Sequence, residues 1–594
     1  KDTVASFQSF HNGMGSFQFR PEKKMEYYAV VKLGDSLIKQ KLPAAQDLGF
    51  CMDVHGEDPE TVKVRVRASP EFEGTPVFLF VQTRQVAKNI HRGSLTNGEF
   101  SCTISKKDLG DGLSTVTIFN AERKPVCERL IFKRPGEKLS IQATTDQQVY
   151  DMRTPVNIDI LTRINGQEVS GNCSASVMMI DALQKIPERD IVSYLYLSSD
   201  LKGNIESPAY YFEHVDPGTD SALDNLLLTQ GWRRFNWDDI WKNKKPSFEF
   251  VPELEGQVAT GIIINKSTGS AAVGADAFVS MPGEEKAFSI TTSDGNGMIR
   301  YSFLRNIYKN NVVVMQPALK KDSDNRIDIL NAWSDKYSTI PVRSFSLSKM
   351  EQRELLNRSV NNQIENTFAV EKKHLYPGIS PDSSSFYGRP DKVYFLDQYV
   401  RYPTMEEVLR EFVIDVRVRR DADKFNLRVK NSHTDLYYDG VPLMLIDGIP
   451  VDASAIVGLD PLQIKKIEVI AHRYYMGSYV FDGIINVKSH SGDIGTTQID
   501  PNATVLEYES VQVPREFYSP SYDDENARQS RMPDYRNVLY WSPRIVTGTE
   551  GKSRFSFFTS DTPGKFVVCI QGITADGIPG STITSFEVRN AGYR

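Results

Sequence analysis

Residues Leu443 to Ile470 read LMLIDGIPVDASAIVGLDPLQIKKIEVI. The first part predicts a β-hairpin whose turn is Asp447–Gly448, because both residue types tolerate the positive φ of a tight turn. We then expect a short helix that contains DPLQIKKI, with Pro461 in its first turn, and after it the strand IEVI. This stretch contains no obvious catalytic group. It predicts a small α+β domain.

The flanking residues extend this domain over 396–495. Thr404 and Glu407 have the spacing of a capping box at the start of the helix TMEEVLREF. After IEVI, a loop bracketed by glycines leads into the strand GIINV. This order, with the motifs D-G-x-P-V, I-x-x-I-E-V and G-x-x-x-x-x-G-I-I-N-V, closely resembles the plug domain of TonB-dependent outer-membrane receptors. The resemblance implies a recognition or docking module.

The residues after the plug-like segment depart from the receptor pattern. A receptor plug is followed by a membrane barrel, whose strands of about 9–11 residues and their connections take several hundred residues. Only about a hundred residues follow Val487, and they read as turns and strands of another sandwich. We therefore expect a plug-like domain without a barrel of its own, and not a self-contained transporter.

The first half of the chain repeats short alternating strands separated by Gly, Pro, Asn and Asp turns, which is typical of antiparallel β-sandwiches. TVKVRVRA (Thr61 to Ala68) alternates valine with cations and predicts one buried and one solvated face. Nucleic-acid binding by these cations is the alternative. We favour the solvated face, because acidic residues follow at Glu71 and Glu73.

Residues 110–160 carry a more specific pattern, with a strand, the return strand P-x-x-E-R-L and the opening T-D-x-x-x-Y…P-V. Pro125 suits an edge strand, Tyr150 is placed to anchor a corner, and Pro155 precedes a new alternating strand. The pattern resembles the junction between macroglobulin-type β-sandwiches of the alpha-2-macroglobulin superfamily. CSASVMMIDALQ (Cys173 to Gln184) is similar to another strand of those domains.

Residues 254–304 resemble the carboxypeptidase regulatory-like domain, a small sandwich common at the start of outer-membrane receptors of the Bacteroidetes type. A G-x-V start, a T-G-x-x-x-x-G-A hairpin and TTSDGNGM carry the resemblance. Asp294–Gly295 and Asn296–Gly297 predict turns with positive φ. A calcium loop would use the same residues, but the oxygen spacing and terminal Glu of an EF-hand are missing.

The predicted fold class is multidomain and mainly β, with tandem immunoglobulin-like or macroglobulin-type β-sandwiches plus a small α+β plug domain. The predicted domains, in chain order, are the C-terminal part of a sandwich at 1–47, sandwiches at 48–135 and 136–250, a regulatory-like sandwich at 251–346, a helical and Pro/Ser-rich linker at 347–395, the plug-like domain at 396–495 and a C-terminal sandwich at 496–594.

SALDNLLLTQGWRRFNWDDIW (Ser221 to Trp241) interrupts the β pattern with leucines at helical spacing, followed by Trp232, Trp237 and Trp241. An aromatic box that binds a glycan or a peptide is one interpretation. A structural clamp that joins two domains is the one we favour. The candidate interaction residues are these three tryptophans together with Asp447, Gly448, Tyr474 and Tyr475.

Composition limits the function classes. A net charge of -6, a pI near 5.9 and a mean hydropathy of -0.37 describe ordinary globular material with no global reason to bind nucleic acid. The longest apolar runs, such as VVVM at Val312 to Met315, are far shorter than the ~20 residues of a transmembrane helix. Five scattered cysteines without a CxxC support neither a zinc ribbon nor a redox motif. Cys102 and Cys127 suit either a disulfide or two free thiols.

The sequence predicts no enzyme, no cofactor and no metal site. None of the eight histidines begins an H-x-x-E or H-E-x-x-H motif, and no G-x-S-x-G or Walker loop is present. The cysteines also lack the GCxEQ context of thioester-forming macroglobulins. The triplet of Ser, His and Asp at 489–493 is expected to be an ordinary loop, because a catalytic triad converges from separate elements.

Three hypotheses remain. The leading one is a non-enzymatic scaffold of the cell envelope, in the periplasm, at the outer membrane or on the surface, whose plug-like domain docks to a protein partner. The second is an accessory plug that gates a separate transporter or secretion pore in trans. The third is glycan or peptide binding through the tryptophans. An export signal or lipoprotein anchor is expected upstream of Lys1.

Overall fold

The computed structural model describes residues 3–56, 58–213, 215–231, 235–245, 253–254, 256–281, 288–302, 311–318, 324–331, 333–337, 346–373, 385–422, 424–492, 499–508 and 516–590. The chain forms two compact units. Unit 1 comprises Lys1–Lys245, Phe345–Leu375 and Phe517–Arg594, and unit 2 comprises Pro246–Ser344 and Tyr376–Glu516. Across the described ranges, no helix is both long enough and apolar enough to span a membrane.

The described part of the chain is mainly β, as predicted. Its strands are β1 (Tyr28–Leu33), β2 (Ser36–Lys41), β3 (Phe50–His55), β4 (Thr61–Ala68), β5 (Pro76–Thr83), β6 (Val86–Ser94), β7 (Glu99–Ser105), β8 (Gly112–Phe119), β9 (Pro125–Lys133), β10 (Ser140–Thr145), β11 (Val149–Asp151), β12 (Pro155–Ile164), β13 (Gln167–Glu168), β14 (Asn172–Ile180), β15 (Val258–Asn265), β16 (Asp276–Ser280), β17 (Ser289–Thr292), β18 (Met298–Ser302), β19 (Asn311–Pro317), β20 (Asn325–Ile329), β21 (Lys392–Phe395), β22 (Val416–Asp421), β23 (Lys424–Val429), β24 (Leu443–Ile446), β25 (Ile449–Pro450), β26 (Ile464–Ile470), β27 (Tyr474–Met476), β28 (Tyr479–Phe481), β29 (Ile484–Ser489), β30 (Thr504–Tyr508), β31 (Val538–Val546), β32 (Lys552–Phe558), β33 (Gly564–Ile573) and β34 (Pro579–Arg589). Its α-helices are α1 (Ile191–Tyr196), α2 (Tyr210–Glu213), α3 (Pro217–Thr229), α4 (Trp237–Trp241), α5 (Lys349–Lys373), α6 (Met405–Glu411), α7 (Ala453–Val457) and α8 (Glu525–Arg528).

The first sandwich of unit 1 consists of β3 to β9. Its two sheets have the strand orders β3-β4-β7 and β6-β5-β8-β9. The valines of β4 are buried in the core between the sheets, and its cations point to solvent. The prediction from the alternation of TVKVRVRA is confirmed: β4 has one buried face and one solvent-exposed face.

The second sandwich is built from two distant parts of the chain. One sheet contains β10, β12 and β13, with β32 paired to β12, and the other has the order β11-β34-β33-β14-β31. The phenylalanines of β32, β33 and β34 share one core with the aliphatic residues of β12 and β14. Residues 181–537 are therefore an insertion between β14 and β31.

This finding differs from the predicted domain boundaries. We expected separate sandwiches at 136–250 and 496–594, whereas their strands pair with each other in one sandwich. Each half alone lacks the partner strands that would bury its apolar face. Periodicity identified the strands correctly, but it carries no information on which distant strand each one joins.

Helices α1 to α4 lie between β14 and unit 2 in sequence and contact both sandwiches of unit 1. Leu223, Leu226 and Leu227 of α3 are buried against Leu113 and Leu130 of the first sandwich. At the other end, the Asp190 carboxylate accepts a hydrogen bond of 2.5 Å from Ser581 Oγ in β34 of the second sandwich. The helical segment thus contacts both sandwiches of unit 1, as a structural clamp that joins two domains would.

The third sandwich, in unit 2, has sheets of order β18-β15-β20 and β17-β16-β19-β30 around one core. The predicted turn at TTSDGNGM is present. Asp294 Oδ1 accepts hydrogen bonds from the backbone N–H groups of Asn296 and Met298. Gly297 has a φ of +76°, whereas Gly295 does not have a positive φ. Strand β30 lies within the predicted C-terminal sandwich, yet it pairs with β19 here.

The α+β domain of unit 2 covers 385–492. Its sheet has the order β21-β26-β29-β24-β25, and α6, α7 and the hairpin β22–β23 cover one face. Strand β21 precedes residue 396, so the domain begins earlier than predicted. The region 347–395 contains α5, as its helical pattern indicated, as well as β21.

Two local predictions for the α+β domain have different outcomes. The capping box of α6 is present, with Glu407 N–H donating to Thr404 Oγ1. DPLQIKKI, however, is not a helix: Pro461 opens a single 3₁₀ turn and β26 begins at Ile464. The burial of Ile464 and Ile467, in the core between the sheet and the helices, favours the extended conformation over the helical one.

The second face of the α+β sheet is covered by the third sandwich. Leu443, Leu445 and Ile484 share a buried cluster with Phe278 and Phe288. Gln316 Nε2 of β19 also donates a hydrogen bond of 2.9 Å to the Pro450 carbonyl. Unit 2 is therefore layered, with helices, the α+β sheet and the two sheets of the third sandwich in succession.

Candidate functional site

Asp447 and Gly448 form the turn between β24 and β25. Both have positive φ, +49° and +86°, as a type I′ hairpin turn requires. The Asp447 carboxylate accepts hydrogen bonds from Ser489 N–H (2.9 Å) and Ser489 Oγ (2.6 Å) at the end of β29. These hydrogen bonds hold the turn against the neighbouring strand, so Asp447 and Gly448 have a structural role in the sheet.

Tyr474 and Tyr475 lie in the short hairpin β27–β28. Tyr474 is partly buried, packs edge-on against Phe386 and donates a hydrogen bond of 3.3 Å to the Phe386 carbonyl. Tyr475 points away and is exposed. Arg473 beside them forms an ion pair of 2.9 Å with Asp482 across the hairpin. Of the two tyrosines, Tyr475 is the one available to a partner.

The tryptophans occupy different environments in unit 1. Trp237 is buried, and its ring meets Phe80, Phe119 and Phe235 edge-on at centroid distances of 5.6, 4.9 and 4.9 Å. Trp241 is half exposed and contacts Phe119. Trp232 lies outside the described residues. The Trp237 ring is only 7% exposed, and the Trp241 ring stacks on it at a centroid distance of 5.9 Å, so it is closed to a sugar.

The predicted residues that the structure describes belong to different parts of the fold. The tryptophans are in unit 1, and the residue pairs of unit 2 lie on two different hairpins. Around the two ends of α6, a different surface of the α+β domain collects four exposed apolar or aromatic side chains and one partly buried aromatic ring. We call it the α6 patch, and it consists of Tyr399, Val400, Tyr402, Phe412 and Ile414.

Ring packing and backbone hydrogen bonds position part of the α6 patch. The rings of Tyr399 and Tyr402 lie 4.6 and 5.3 Å from that of Phe412. Arg401 donates hydrogen bonds to the carbonyls of Pro461 and Ile464, which fixes the segment before α6. Val400 is 82% exposed and Ile414 is 66% exposed. The sequence signal was the apolar and aromatic residues that flank TMEEVLREF on both sides.

The hairpin β22–β23 follows the patch directly and is rich in arginine. Val416 and Val418 point into the core, while Arg417 and Arg419 point to solvent. Arg428 of β23 lies directly opposite Arg417 and donates a hydrogen bond of 2.7 Å to Asp439. This outer face of the hairpin therefore presents several guanidinium groups next to the α6 patch.

A buried polar cluster lies on the opposite face of the α+β sheet. Glu468 accepts hydrogen bonds from Lys466 Nζ (2.7 Å) and from the Tyr387 hydroxyl (2.5 Å), and Lys488 Nζ lies 3.1 Å away. Burial alone would raise the pKa of Glu468, but these cations and donors outweigh it and lower the pKa below its ordinary value. Glu468 is thus ionised at neutral pH although it is buried.

In unit 1, a cavity of about 160 Å³ is lined by Glu365 of α5 and by the segment that precedes β31. Asp534 on its wall pairs with Arg536 at 2.8 Å and accepts a hydrogen bond of 2.9 Å from Tyr522. Within the described ranges, no three His, Cys, Asp or Glu side chains are grouped to hold a metal ion. The five cysteines are free thiols, and burial raises the pKa of Cys173 to about 11.

Comparisons with known proteins found no matching family model and no matching curated protein. Among solved structures, the native conformation of Escherichia coli alpha-2-macroglobulin is 9% identical, with 95% of this chain and 35% of that chain covered and a TM-score of 0.14. A tetra-tandem repeat from the extending region of a large adhesion protein is 8% identical, with coverages of 91% and 99% and a TM-score of 0.15. A membrane-anchored protein of Corynebacterium diphtheriae is 13% identical, with coverages of 26% and 39% and a TM-score of 0.12. This chain thus spans about a third of the length of the macroglobulin. TM-scores of this size transfer neither a fold nor an activity to it.

Proposed function

We propose that this chain is a non-enzymatic scaffold or interaction protein of the bacterial cell envelope. In this proposal the sandwiches act as spacers, and the plug-like α+β domain docks onto another component of the outer membrane or the cell surface. The observation that carries the proposal is the α6 patch. Four of its five apolar or aromatic side chains are exposed, and Tyr399 and Tyr402 pack on the partly buried Phe412. Exposed apolar patches of this kind are a feature of protein interaction sites.

The layering of unit 2 supports docking by the attached domain. One face of the α+β sheet packs on its own helices, and the other packs on the third sandwich through Leu443, Leu445 and Ile484. Removing residues 396–495 from the chain would expose this second apolar face. The surface around α6 and β22–β23 carries exposed side chains in the described part of unit 2 and is the one that we propose for a partner.

The test uses the whole protein in its own cells. Affinity-tagged wild type is purified with intact outer-membrane complexes and compared with the double variant Val400→Glu/Ile414→Glu. The matched control is Val86→Glu/Ile90→Glu on β6 of unit 1, whose side chains are similarly exposed at 57% and 67%. We expect the α6-patch variant to lose a discrete, stoichiometric partner by about tenfold, while the control retains it.

Two results would contradict the proposal. If the wild-type protein is recovered as an unassociated pool, it has no scaffold role. If the α6-patch variant keeps its partner as fully as the control does, docking occurs elsewhere on the molecule.

A further inference from the structure

The hairpin β22–β23 carries an arrangement of charge that its own fold does not need. Arg417 and Arg428 are directly opposite each other in the antiparallel ladder. Like charges at directly opposed positions destabilise a strand pair. Asp439 compensates Arg428, and the Arg417 guanidinium lies 4.0 Å above the ring of Tyr437. A purely structural hairpin would be more stable with neutral residues at these positions.

Arg419 adds a third guanidinium to the same face, because it is two residues from Arg417 on β22. Its guanidinium group makes no hydrogen bond or ion pair with any other residue in the described ranges, although its backbone pairs with Asn426 in the ladder. The chain as a whole has a net charge of -6, so this cationic surface is not a consequence of overall composition. The outer face of the hairpin therefore carries positive charge that residues of the described ranges neutralise only in part.

The spacing of these arginines indicates which kind of anion fits. Side chains two residues apart on a strand are separated by roughly 7 Å and share one face. An extended peptide repeats its side chains with the same period, so carboxylates at alternate positions would face Arg417 and Arg419 in turn. Guanidinium groups bind carboxylates through paired hydrogen bonds.

The backbone of β22 offers a second contact to the same peptide. Among the described residues, β22 pairs only with β23, so its other edge has no neighbouring strand. An extended segment that adds to such an edge gains main-chain hydrogen bonds along its length. Ile414 of the α6 patch lies two residues before β22, which places apolar contacts next to this edge.

We propose, resting on the docking function above, that the partner presents an extended acidic segment with carboxylates at alternating positions, which adds to β22 as a third strand. The unpaired strand edge favours a peptide over anionic lipid, because a lipid headgroup has no use for backbone pairing.

The experiment measures binding of fluorescein-labelled peptides to the full chain by anisotropy. The probe alternates Glu and Thr. One comparison peptide has Gln in place of Glu, a second has the same composition with the glutamates grouped together, and a third carries N-methyl groups on alternate backbone amides. We expect the alternating peptide to bind at least about tenfold more tightly than each of the others.

Variants locate the binding surface. Arg417→Gln/Arg419→Gln should weaken binding of the alternating peptide by about tenfold or more. The matched control is Arg65→Gln/Arg67→Gln, which removes the same charge from the same i, i+2 spacing on β4. That strand is paired on both sides, by β3 and β7, and its arginines face Glu99. The control should bind the peptide as the wild type does.

The remaining outcomes overturn the inference. Equal binding of the grouped and N-methylated peptides would show charge attraction without strand addition. Binding to phosphatidylcholine vesicles that contain phosphatidylglycerol, without binding to the peptide, would identify a lipid ligand. If Arg417→Gln/Arg419→Gln keeps the cellular partner while Val400→Glu/Ile414→Glu loses it, docking stands and the acidic-partner inference fails.

Discussion

Glu468 shows how a single ionised side chain is kept inside unit 2. It lies on the face of the α+β sheet that the third sandwich covers, between Lys466 and Lys488, and the Tyr387 hydroxyl completes its hydrogen bonding. Asn486 Nδ2 in turn donates to that hydroxyl at 2.8 Å. A buried charge of this kind persists only where its partners offset the loss of water.

We predict that Glu468→Gln destabilises unit 2 by about 2 kcal/mol at neutral pH, because two lysines lose their counter-charge in a poorly solvated place. The matched control is Glu411→Gln, at the exposed end of α6 in the same unit. Urea unfolding followed by circular dichroism measures both. Equal stability of the two variants would contradict the prediction.

The same residue predicts an acid dependence. The pKa of Glu468 is lower in the folded chain than its ordinary value of 4.5, so its stabilising contribution is complete above that value. The contribution is lost as the pH falls through the folded pKa. The urea midpoint of wild type should therefore fall more steeply below pH 4.5 than that of Glu468→Gln, and parallel curves would refute this.

For individual residues, the sequence predicted a structural role only where that role depends on residues close by in the chain. Tyr150 anchors a corner as expected: its hydroxyl donates to Asp146 at 2.5 Å and accepts from Gln147 N–H at 2.9 Å. The Asp447–Gly448 turn was also predictable, because it depends on two adjacent residues. The partners of Glu468 come from separate strands, and no short motif encodes such a cluster.

At the scale of elements, α3 shows what holds the clamp of unit 1. Asp216 caps the helix by accepting a hydrogen bond from Thr219 N–H, and Pro217 occupies its first turn. Leu223, Leu226 and Leu227 are buried on the first sandwich. Arg129 and Arg134 of that sandwich region donate to Asp224 and Asp220 beside this apolar contact.

We predict that Leu226→Ala destabilises unit 1 by about 3 kcal/mol, through lost apolar burial and the cavity that remains. Leu228→Ala on the same helix is the matched control. Leu226 is 2% exposed and Leu228 is 50% exposed, so the control should change stability by less than about 0.5 kcal/mol. Thermal unfolding followed by tryptophan fluorescence compares the two, and similar losses would show that α3 is not clamped on this face.

The segment DPLQIKKI shows why the type of a short element is hard to predict. Its apolar residues suit a helical turn and a strand equally well over so few positions. In the structure, Ile464 and Ile467 fill the core beneath the helices, and the pairing of β26 with β29 completes the sheet. Tertiary packing thus decides between two conformations that the local sequence allows. The longer helical pattern of α5, by contrast, was sufficient to predict a helix from the sequence.

The whole molecule is organised by insertion of one domain within another. The second sandwich is completed only by β31 to β34, and the third only by β30. The α+β domain lies inside the third sandwich in sequence, and the third sandwich lies inside the second. Domain borders cannot be read from such a chain by marking where one run of strands ends, because spatial neighbours are far apart in sequence.

We predict that a single cut in the chain after Lys336 leaves the two fragments associated. Strands β12 and β14 of one fragment pair with β32 and β33 of the other, and β19 pairs with β30. A protease site inserted there, cleaved under native conditions and followed by size-exclusion chromatography, should give one peak at the intact size. The uncut insertion is the control, and two separate peaks would contradict the observed strand pairing.

The insertion of one domain within another determines the order in which the domains can fold during synthesis. Strands β12 and β14 leave the ribosome long before β32 and β33. Their apolar faces therefore stay without the strands that complete the core until unit 2 has been synthesised. The innermost domain can close first and the outermost sandwich last. A chaperone that shields early strands during translation or export would therefore matter more for residues 139–180 than for any later part of the chain.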